Sequence, residues 1–216
     1  MQTLKVKNVE DISEGTYILR TEKPAVPVRA GQCFSVGIPE LAINREYSIF
    51  SSAKDPNLEF LIREVPDGAV STGLRGVEAG ANLYIGGPYG EFCLSEDDVN
   101  SREFVFIASG TGIAPFRSFI QTYESLKYSI HHGVRYEEDV LPDHILKGDS
   151  RYNKYVSRPS TQGLQASRVT DGVKTVDLND AQLFYLCGNR MMITDVVKIL
   201  RDRGVPGSRI FMETFF

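Results

Sequence analysis

Apolar positions along the first hundred residues fall in short runs broken by turn residues: LKVKNVEDI, TYILRT, GQCFSVGI, REYSIFSS, LEFLIREV and ANLYIGG. They recur roughly every 8–15 residues, the rhythm of a small barrel or sandwich. One helix-like piece, around Val70–Gly76, interrupts them. After Ser101 the pattern changes. EFVFIAS is a near-continuous apolar run of strand length, which suits a strand buried on both faces. SGTG follows it, then APFRSFIQTYESL with helical spacing. KYSIHHGV, YNKYVSR and AQLFYLCGN read as further strands, and RIFMETFF as a last one. NRMMITDVVKILRDRG reads as an amphipathic helix, and EEDVLPDHIL as a helix despite Pro142. Strands alternating with helices predict a parallel α/β sheet. The polar stretch Ser95–Glu103 is expected to link two domains, 1–98 and 102–216.

Composition narrows the function. At 216 residues the chain is long enough to bury a core without staples, and its net charge of −4 gives no reason to expect nucleic-acid binding. No apolar run is long enough for a membrane helix and the N-terminus lacks a signal-like apolar core, so a cytoplasmic protein without membrane insertion is expected. Three scattered cysteines, Cys33, Cys93 and Cys187, argue against a disulfide framework and cannot ligate an ordinary iron–sulfur cluster. The histidines, His131, His132 and His144, sit in no metal-ligating frame, so no metal is expected. Electron transfer, if that is the work, needs an organic cofactor. Charge divides unevenly. Residues 1–100 hold 9 Lys/Arg against 15 Asp/Glu, whereas Ser150–Thr170 holds Arg151, Lys154, Arg158 and Arg168 and no acid. Such a cluster suits a phosphate, or is simply a basic face.

Five short segments carry chemistry. In REYS, alternation places Arg45 and Tyr47 on one face, a guanidinium beside an aromatic ring; a cross-strand ion pair with a half-buried tyrosine is the plainer reading. In DGAVSTGL, Gly68 starts a turn and Ser71 lies at a helix start, as an anion site or a cap. SGTGIAPF joins a strand to a helix through Gly110 and Gly112, with Pro115 in the first turn; such turns at the carboxyl end of a parallel strand bind nucleotides. In CGNRMM, Asn189 suits a helix cap and Cys187 ends a strand, where a buried inert thiol is the default. METFF closes the chain with Glu213 and two phenylalanines that need something to cover.

Taken in order, these motifs resemble the ferredoxin–NADP+ reductase family. Its R-x-Y-S/T motif matches Arg45, Tyr47 and Ser48; its G-x-x-S motif, Gly68 and Ser71; its G-T-G-I-A-P turn, Gly110–Pro115. Its C-G-x-x-x-M motif matches Cys187, Gly188 and Met192, and its terminal E-T-aromatic matches Glu213, Thr214 and Phe215, with Phe216 as one residue more. The resemblance covers the whole chain. It implies an N-terminal antiparallel Greek-key β-barrel that binds FAD and a C-terminal α/β parallel-sheet domain that binds NADP(H). It further implies that Arg45, Glu46, Tyr47, Ser48, Ile62, Arg63, Gly68, Ala69, Val70, Ser71, Thr111, Phe215 and Phe216 serve FAD. Gly110, Thr111, Gly112, Arg135, Ser157, Arg158, Arg168, Asn189 and Met192 would serve NADP, and Ser48, Cys187 and Glu213 the chemistry. The implied activity is that of a monomeric ferredoxin/flavodoxin–NADP+ reductase passing electrons to or from ferredoxin or flavodoxin. The alternatives are an NADH-dependent oxygenase reductase component and a non-catalytic flavin-binding electron-transfer subunit. Two features depart from the family: a compact stretch between Gly133 and the Ser157–Arg158 pair, and a terminal Phe in place of Tyr or Trp.

Overall fold

The structure, a computed structural model, describes residues 2–146 and 151–215. They form two compact units. The first takes the chain up to Cys93 together with Ala114–Thr122; the second takes Leu94–Ile113 and the chain from Tyr123 onward.

The first unit is built on six antiparallel strands: β1 (Gln2–Ser13), β2 (Thr16–Glu22), β3 (Cys33–Gly37), β4 (Asn44–Ser48), β5 (Asn57–Arg63) and β6 (Asn82–Tyr89). Their order is β4-β3-β6-β1-β2-β5, so β6 returns from the far end of the chain to lie between β3 and β1, a Greek-key crossing. The outermost members, β4 and β5, meet through the Ile49–Phe60 bridge and a Phe50 N–H to Glu59 C=O bond of 2.7 Å, which curls the sheet into a barrel. Tyr17, Leu19, Phe34, Val36, Phe60, Leu83 and Ile85 fill the interior. Helix α1 (Ala69–Arg75) lies between β5 and β6 in sequence and seals the barrel with Val70 and Leu74.

Helix α3 (Ala114–Thr122) belongs to this unit although it begins directly after the GTGI turn of the other. Its Phe116 and Phe119 pack on Phe92 at ring-centroid distances of 6.2 Å. Arg117 donates to the Phe50 carbonyl (2.7 Å), pairs with Glu59 (3.0 Å) and lies over the Phe50 ring at 4.1 Å. Glu59 is shared with Arg20 at 2.6 Å. The Thr122 hydroxyl accepts from the Ala53 N–H at 2.9 Å.

The second unit holds five parallel strands: β7 (Glu103–Ser109), β8 (Lys127–Val134), β9 (Tyr152–Val156), β10 (Gln182–Asn189) and β11 (Ile210–Phe215), in the order β11-β10-β7-β8-β9. Phe106, Ile107, Phe184 and Leu186 are fully buried, as the apolar runs predict. Helices α4 (Val169–Thr175) and α5 (Arg190–Asp202) pack together against the sheet, sharing a core of Val105, Val173, Ile193, Val196 and Leu200.

One expectation needs correction, and two helices were not foreseen. The polar stretch Ser95–Glu103, expected to link the domains, stands at the start of the second unit. It contains a short helix, α2 (Glu96–Ser101), because the Ser95 side chain accepts from the Asp98 N–H (3.1 Å) and three acids occupy the positive first turn. The segment EEDVLPDHIL is not a helix. Only Glu137–Asp139 makes a 3-10 turn, since Pro142 lacks a donor and disfavours helical backbone before it. Helix α4 was not expected at all: Gly172 lowers its helical propensity, but a β-carbon there would lie 2.0 Å from the Tyr155 hydroxyl, so packing demands glycine.

Replacing Arg117 by Met is expected to destabilise the first unit by about 3 kcal/mol, the low end for breaking a buried pair, because Glu59 keeps Arg20. Urea denaturation measures it; a loss under about 1 kcal/mol, the scale of an exposed pair, would mean the ion pair does not hold α3.

Candidate functional site

In the first unit, anion-seeking groups stand on β4, at the end of β5 and at the start of α1. On β4, Arg45 and Glu46 are exposed, Tyr47 is half-buried with its ring tilted 6.5 Å from Phe60, and Ser48 is buried. Pairing with β3 sets Arg45 opposite Val36 and Tyr47 opposite Phe34. Burial pushes the Tyr47 hydroxyl up to about 12, so it stays neutral. Arg45 makes only a local bond, to the Asn44 carbonyl at 2.9 Å. On β5, Ile62 gives its side chain to the barrel core, while Arg63 is exposed at the strand end.

The start of α1 is tied down from below. The Ser71 hydroxyl accepts from the Val65 N–H (3.0 Å) and donates to the Gly68 carbonyl (3.3 Å), and the buried Tyr17 hydroxyl donates to the Ser71 carbonyl. The side chain of Ser71 is therefore spent on the turn. What the helix start can offer a ligand is main chain: the Ala69, Val70 and Ser71 N–H groups precede the first intrahelical bond, Thr72 N–H to Gly68 C=O. A β-carbon on Gly68 would lie 2.9 Å from both Ser71 Oγ and the Val65 carbonyl, which is why glycine stands there.

In the second unit, β7 pairs with β8 on one side and β10 on the other, so the strand order reverses at β7/β10. In open parallel sheets, ligands bind outside the carboxyl ends of strands at such a reversal. Ser109–Ile113 and Cys187–Asn189 both lie there. A β-carbon on Gly112 would come 2.3 Å from the Cys187 carbonyl, and one on Gly188, which has φ +133°, 2.4 Å from Ser109 Oγ. Asn189 donates its N–H to Ser109 Oγ (2.9 Å), and its side chain accepts from the Met191 N–H (2.9 Å), capping α5 as its position suggested. Thr111 is partly exposed in the turn, and Met192 packs on the edge of the core. Cys187 and Glu213 stand opposite each other on β10 and β11, with Sγ 3.9 Å from Oε2. Burial, reinforced by that carboxylate, raises the thiol well above its ordinary range, so Cys187 is a neutral S–H and not a thiolate. Phe215 ends β11 opposite Asn189; Phe216 lies outside the described residues.

Farther along the same edge, the chain after β9 runs beside the chain after β8: Ser157 N–H bonds the Val134 carbonyl (3.0 Å) and Arg158 N–H the Arg135 carbonyl (2.8 Å). The side chains of Arg135, Arg158 and Arg168 are exposed, and Ser157 Oγ donates to the Val134 carbonyl (3.2 Å). Two residues here make contacts that the sequence does not signal. The Glu137 carboxylate lies on the Ser160–Thr161 loop. His132, wholly buried, has Nε2 2.8 Å from the Gly110 carbonyl and Nδ1 2.7 Å from the Tyr152 hydroxyl. A carbonyl can only accept, so Nε2 carries the proton and Nδ1 accepts from Tyr152. His132 thus fixes the carbonyl of Gly110, whose φ is +55°. Nothing in the adjacent pair His131–His132 marks the second for such a role in the sequence.

The comparisons agree with this layout. Residues 3–93 match the model of the oxidoreductase FAD-binding domain and residues 106–198 that of the oxidoreductase NAD-binding domain. The chain belongs to the ferredoxin reductase family of FAD- and NAD-binding oxidoreductases. It is 28% identical to the toluate 1,2-dioxygenase electron transfer component of Pseudomonas putida over 97% of its own length and 66% of that protein's. With the flavodoxin/ferredoxin–NADP reductase of Escherichia coli K12 it shares 26% identity over 89% and 87% of the two chains. Among solved structures, an Amycolatopsis cytochrome P450 reductase superposes with a TM-score of 0.86 at 27% identity, covering 99% of this chain and 70% of that one. A Neisseria gonorrhoeae ferredoxin NADP+ reductase with bound FAD and NADP superposes at 0.83 and 21%, over 100% and 98%, a likeness of fold. The residues present fit the two cofactors of the family: a guanidinium and free amides beside an aromatic in one unit, a turn that admits only glycine in the other.

Two outcomes follow for the turn. Gly112→Ala is expected to disrupt it and lower thermal stability measurably, because its β-carbon has no space beside the Cys187 carbonyl; an unchanged melting curve would contradict the packing. Burial holds His132 at about 4 against an ordinary 6.5. The unfolded chain therefore takes up its proton first as pH falls. Stability fully present above pH 6.5 is lost between 6.5 and 4, by up to about 3 kcal/mol. In His132→Gln that part of the loss should vanish; parallel pH–stability curves would refute it.

Proposed function

We propose that this protein is a flavin-dependent reductase that accepts a hydride from a reduced nicotinamide dinucleotide and delivers electrons singly to a ferredoxin-type iron–sulfur partner or a flavodoxin. The observation that carries the reading is the pair of half-sites in one chain: Arg45, Tyr47 and the free amides of α1 in the barrel, and the glycine turn with the Cys187–Glu213 pair at the sheet's reversal point. When bound, FAD supplies what no side chain here can, acceptance of two electrons together and their release one at a time.

The side chains bind, orient and tune. Arg45 and the Ala69, Val70 and Ser71 amides would neutralise the FAD pyrophosphate; Tyr47 would give its ring to the flavin, and Ser48 its hydroxyl. The turn Gly110–Gly112 would let the dinucleotide lie close to the backbone, with Thr111 offering a hydroxyl and Arg135, Asn189 and Met192 along the same edge. A neutral Cys187 would add no charge beside a bound nicotinamide, and Glu213, 3.9 Å from its Sγ, would hold or pass a proton there. Phe215 and Phe216 would cover an aromatic face. Ser157, Arg158 and Arg168 support a phosphorylated dinucleotide, with NADPH as donor; the Glu137 carboxylate opposes one.

A second reading, the reductase component of an oxygenase, is supported by the likeness to the dioxygenase electron transfer component over nearly all of this chain. The deciding experiment is a steady-state panel with FAD-loaded protein, NADPH or NADH as donor, and ferricyanide, a plant-type ferredoxin and a flavodoxin as acceptors. Ferricyanide reduction is expected with at least one donor, and ferredoxin reduction that slows as salt rises. No donor-driven reduction of any acceptor would overturn the proposal in favour of a non-catalytic flavin-binding subunit. Arg45→Ala is expected to weaken FAD binding by roughly tenfold to a hundredfold, the worth of one charge-assisted hydrogen bond, as read by fluorescence titration of the apoprotein.

A further inference from the structure

The loop after β9 already holds an anion, and the anion is the protein's own. Glu137, just past the carboxyl end of β8, lays its carboxylate on Ser160 and Thr161. Oε1 accepts from the Ser160 N–H (3.1 Å) and the Thr161 N–H (2.9 Å); Oε2 accepts from the Ser160 N–H (3.0 Å) and the Ser160 hydroxyl (3.2 Å). These bonds, the main-chain ones first, hold the carboxyl down at about 2, so it is charged at every physiological pH. The backbone amides that a phosphate would seek in this loop are thus satisfied from within the fold.

The position of Glu137 matters as much as its bonds. It stands three residues past β8, the first strand after the glycine turn and the second of the unit, on the edge that also carries Arg135, Ser157 and Arg158. A carboxylate has about four lone-pair sites, the loop already engages each oxygen twice, and the group can only accept. A ribose 2′-hydroxyl is neutral and meets no like charge beside it. A 2′-phosphate has no proton to offer at neutral pH. It would meet a like charge, and the amides it needs are taken. Arg158 is exposed two residues before Ser160 and can attract a phosphate, but it cannot free the loop amides.

We infer that Glu137 selects the dinucleotide, tolerating the neutral ribose 2′-hydroxyl of NAD(H) and turning away the 2′-phosphate of NADP(H). This rests on the reading of the second unit as a nicotinamide-dinucleotide site. It reverses the preference that Ser157, Arg158 and Arg168 suggest when taken without it.

The test is calorimetric titration of the FAD-loaded protein with NAD+, NADP+ and 2′-AMP, repeated on Glu137→Gln and Glu137→Ala. The unaltered protein should bind NAD+ roughly tenfold or more tightly than NADP+, a ratio equal to one repulsive contact of ordinary strength. In both variants the ratio should move toward NADP+ by a similar factor, and 2′-AMP binding should strengthen. Tighter NADP+ binding by the unaltered protein, or a ratio that stays put in both variants while both dinucleotides still bind, overturns the role of Glu137 and leaves the reductase reading standing. Failure of both dinucleotides to bind the unaltered protein brings down the parent reading and this inference with it.

Discussion

Parallel strands cannot be joined by tight turns, so each of the five strands in the second unit starts at the same edge and ends at the other. That constraint collects the chemistry. Ser109–Ile113, Arg135, Glu137, Ser157–Thr161, Cys187–Asn189 and Glu213 come from five separate stretches of chain, yet all follow or close a strand at one edge of a single sheet. The closest approach there, Gly112 under the Cys187 carbonyl, leaves no room for a methyl group. Register follows from it: Cys187 comes opposite both Ala108 and Glu213.

Burial then sets which of these groups carry charge. Cys187 is kept as a thiol by its apolar surroundings and the carboxylate beside it, and His132 is kept neutral by complete burial, which lets it serve as a fixed donor to the Gly110 carbonyl. Glu137 lies at the surface and is held in the opposite sense, as a carboxylate, by main-chain donors. Cys187 and His132, beside the glycine turn, are thus neutral in the physiological range, whereas Glu137, farther along the same edge, presents fixed charge. In the first unit the same logic is mechanical. Glu59, between Arg20 and Arg117, and the Phe50 ring beneath Arg117 hold α3 on the barrel.

Much of this was legible in the sequence because its signals are local. Apolar runs such as EFVFIAS and QLFYLCG mark buried parallel strands by composition alone, and Asn189 announces α5 by its place before an amphipathic stretch. The five motifs are readable because each places particular residues at adjacent positions in the chain. What was missed depends on contacts distant in the chain. Helix α4 hides behind Gly172, whose reason is Tyr155; Ser95–Glu103 looked like a linker until the Ser95 cap made its acids part of a helix turn. His132, Arg117 and Glu137 gain their roles from Gly110, Glu59 and Ser160, partners that no spacing rule connects to them.

The account stands on one claim, that Arg45, Tyr47 and the amides at the start of α1 hold a flavin. The most direct measurement is the visible spectrum of the purified protein after incubation with FAD and removal of excess, followed by quantification of the flavin released on denaturation. The account predicts a yellow protein that releases an equimolar amount of FAD. A colourless protein with no affinity for FAD at micromolar concentration would contradict it.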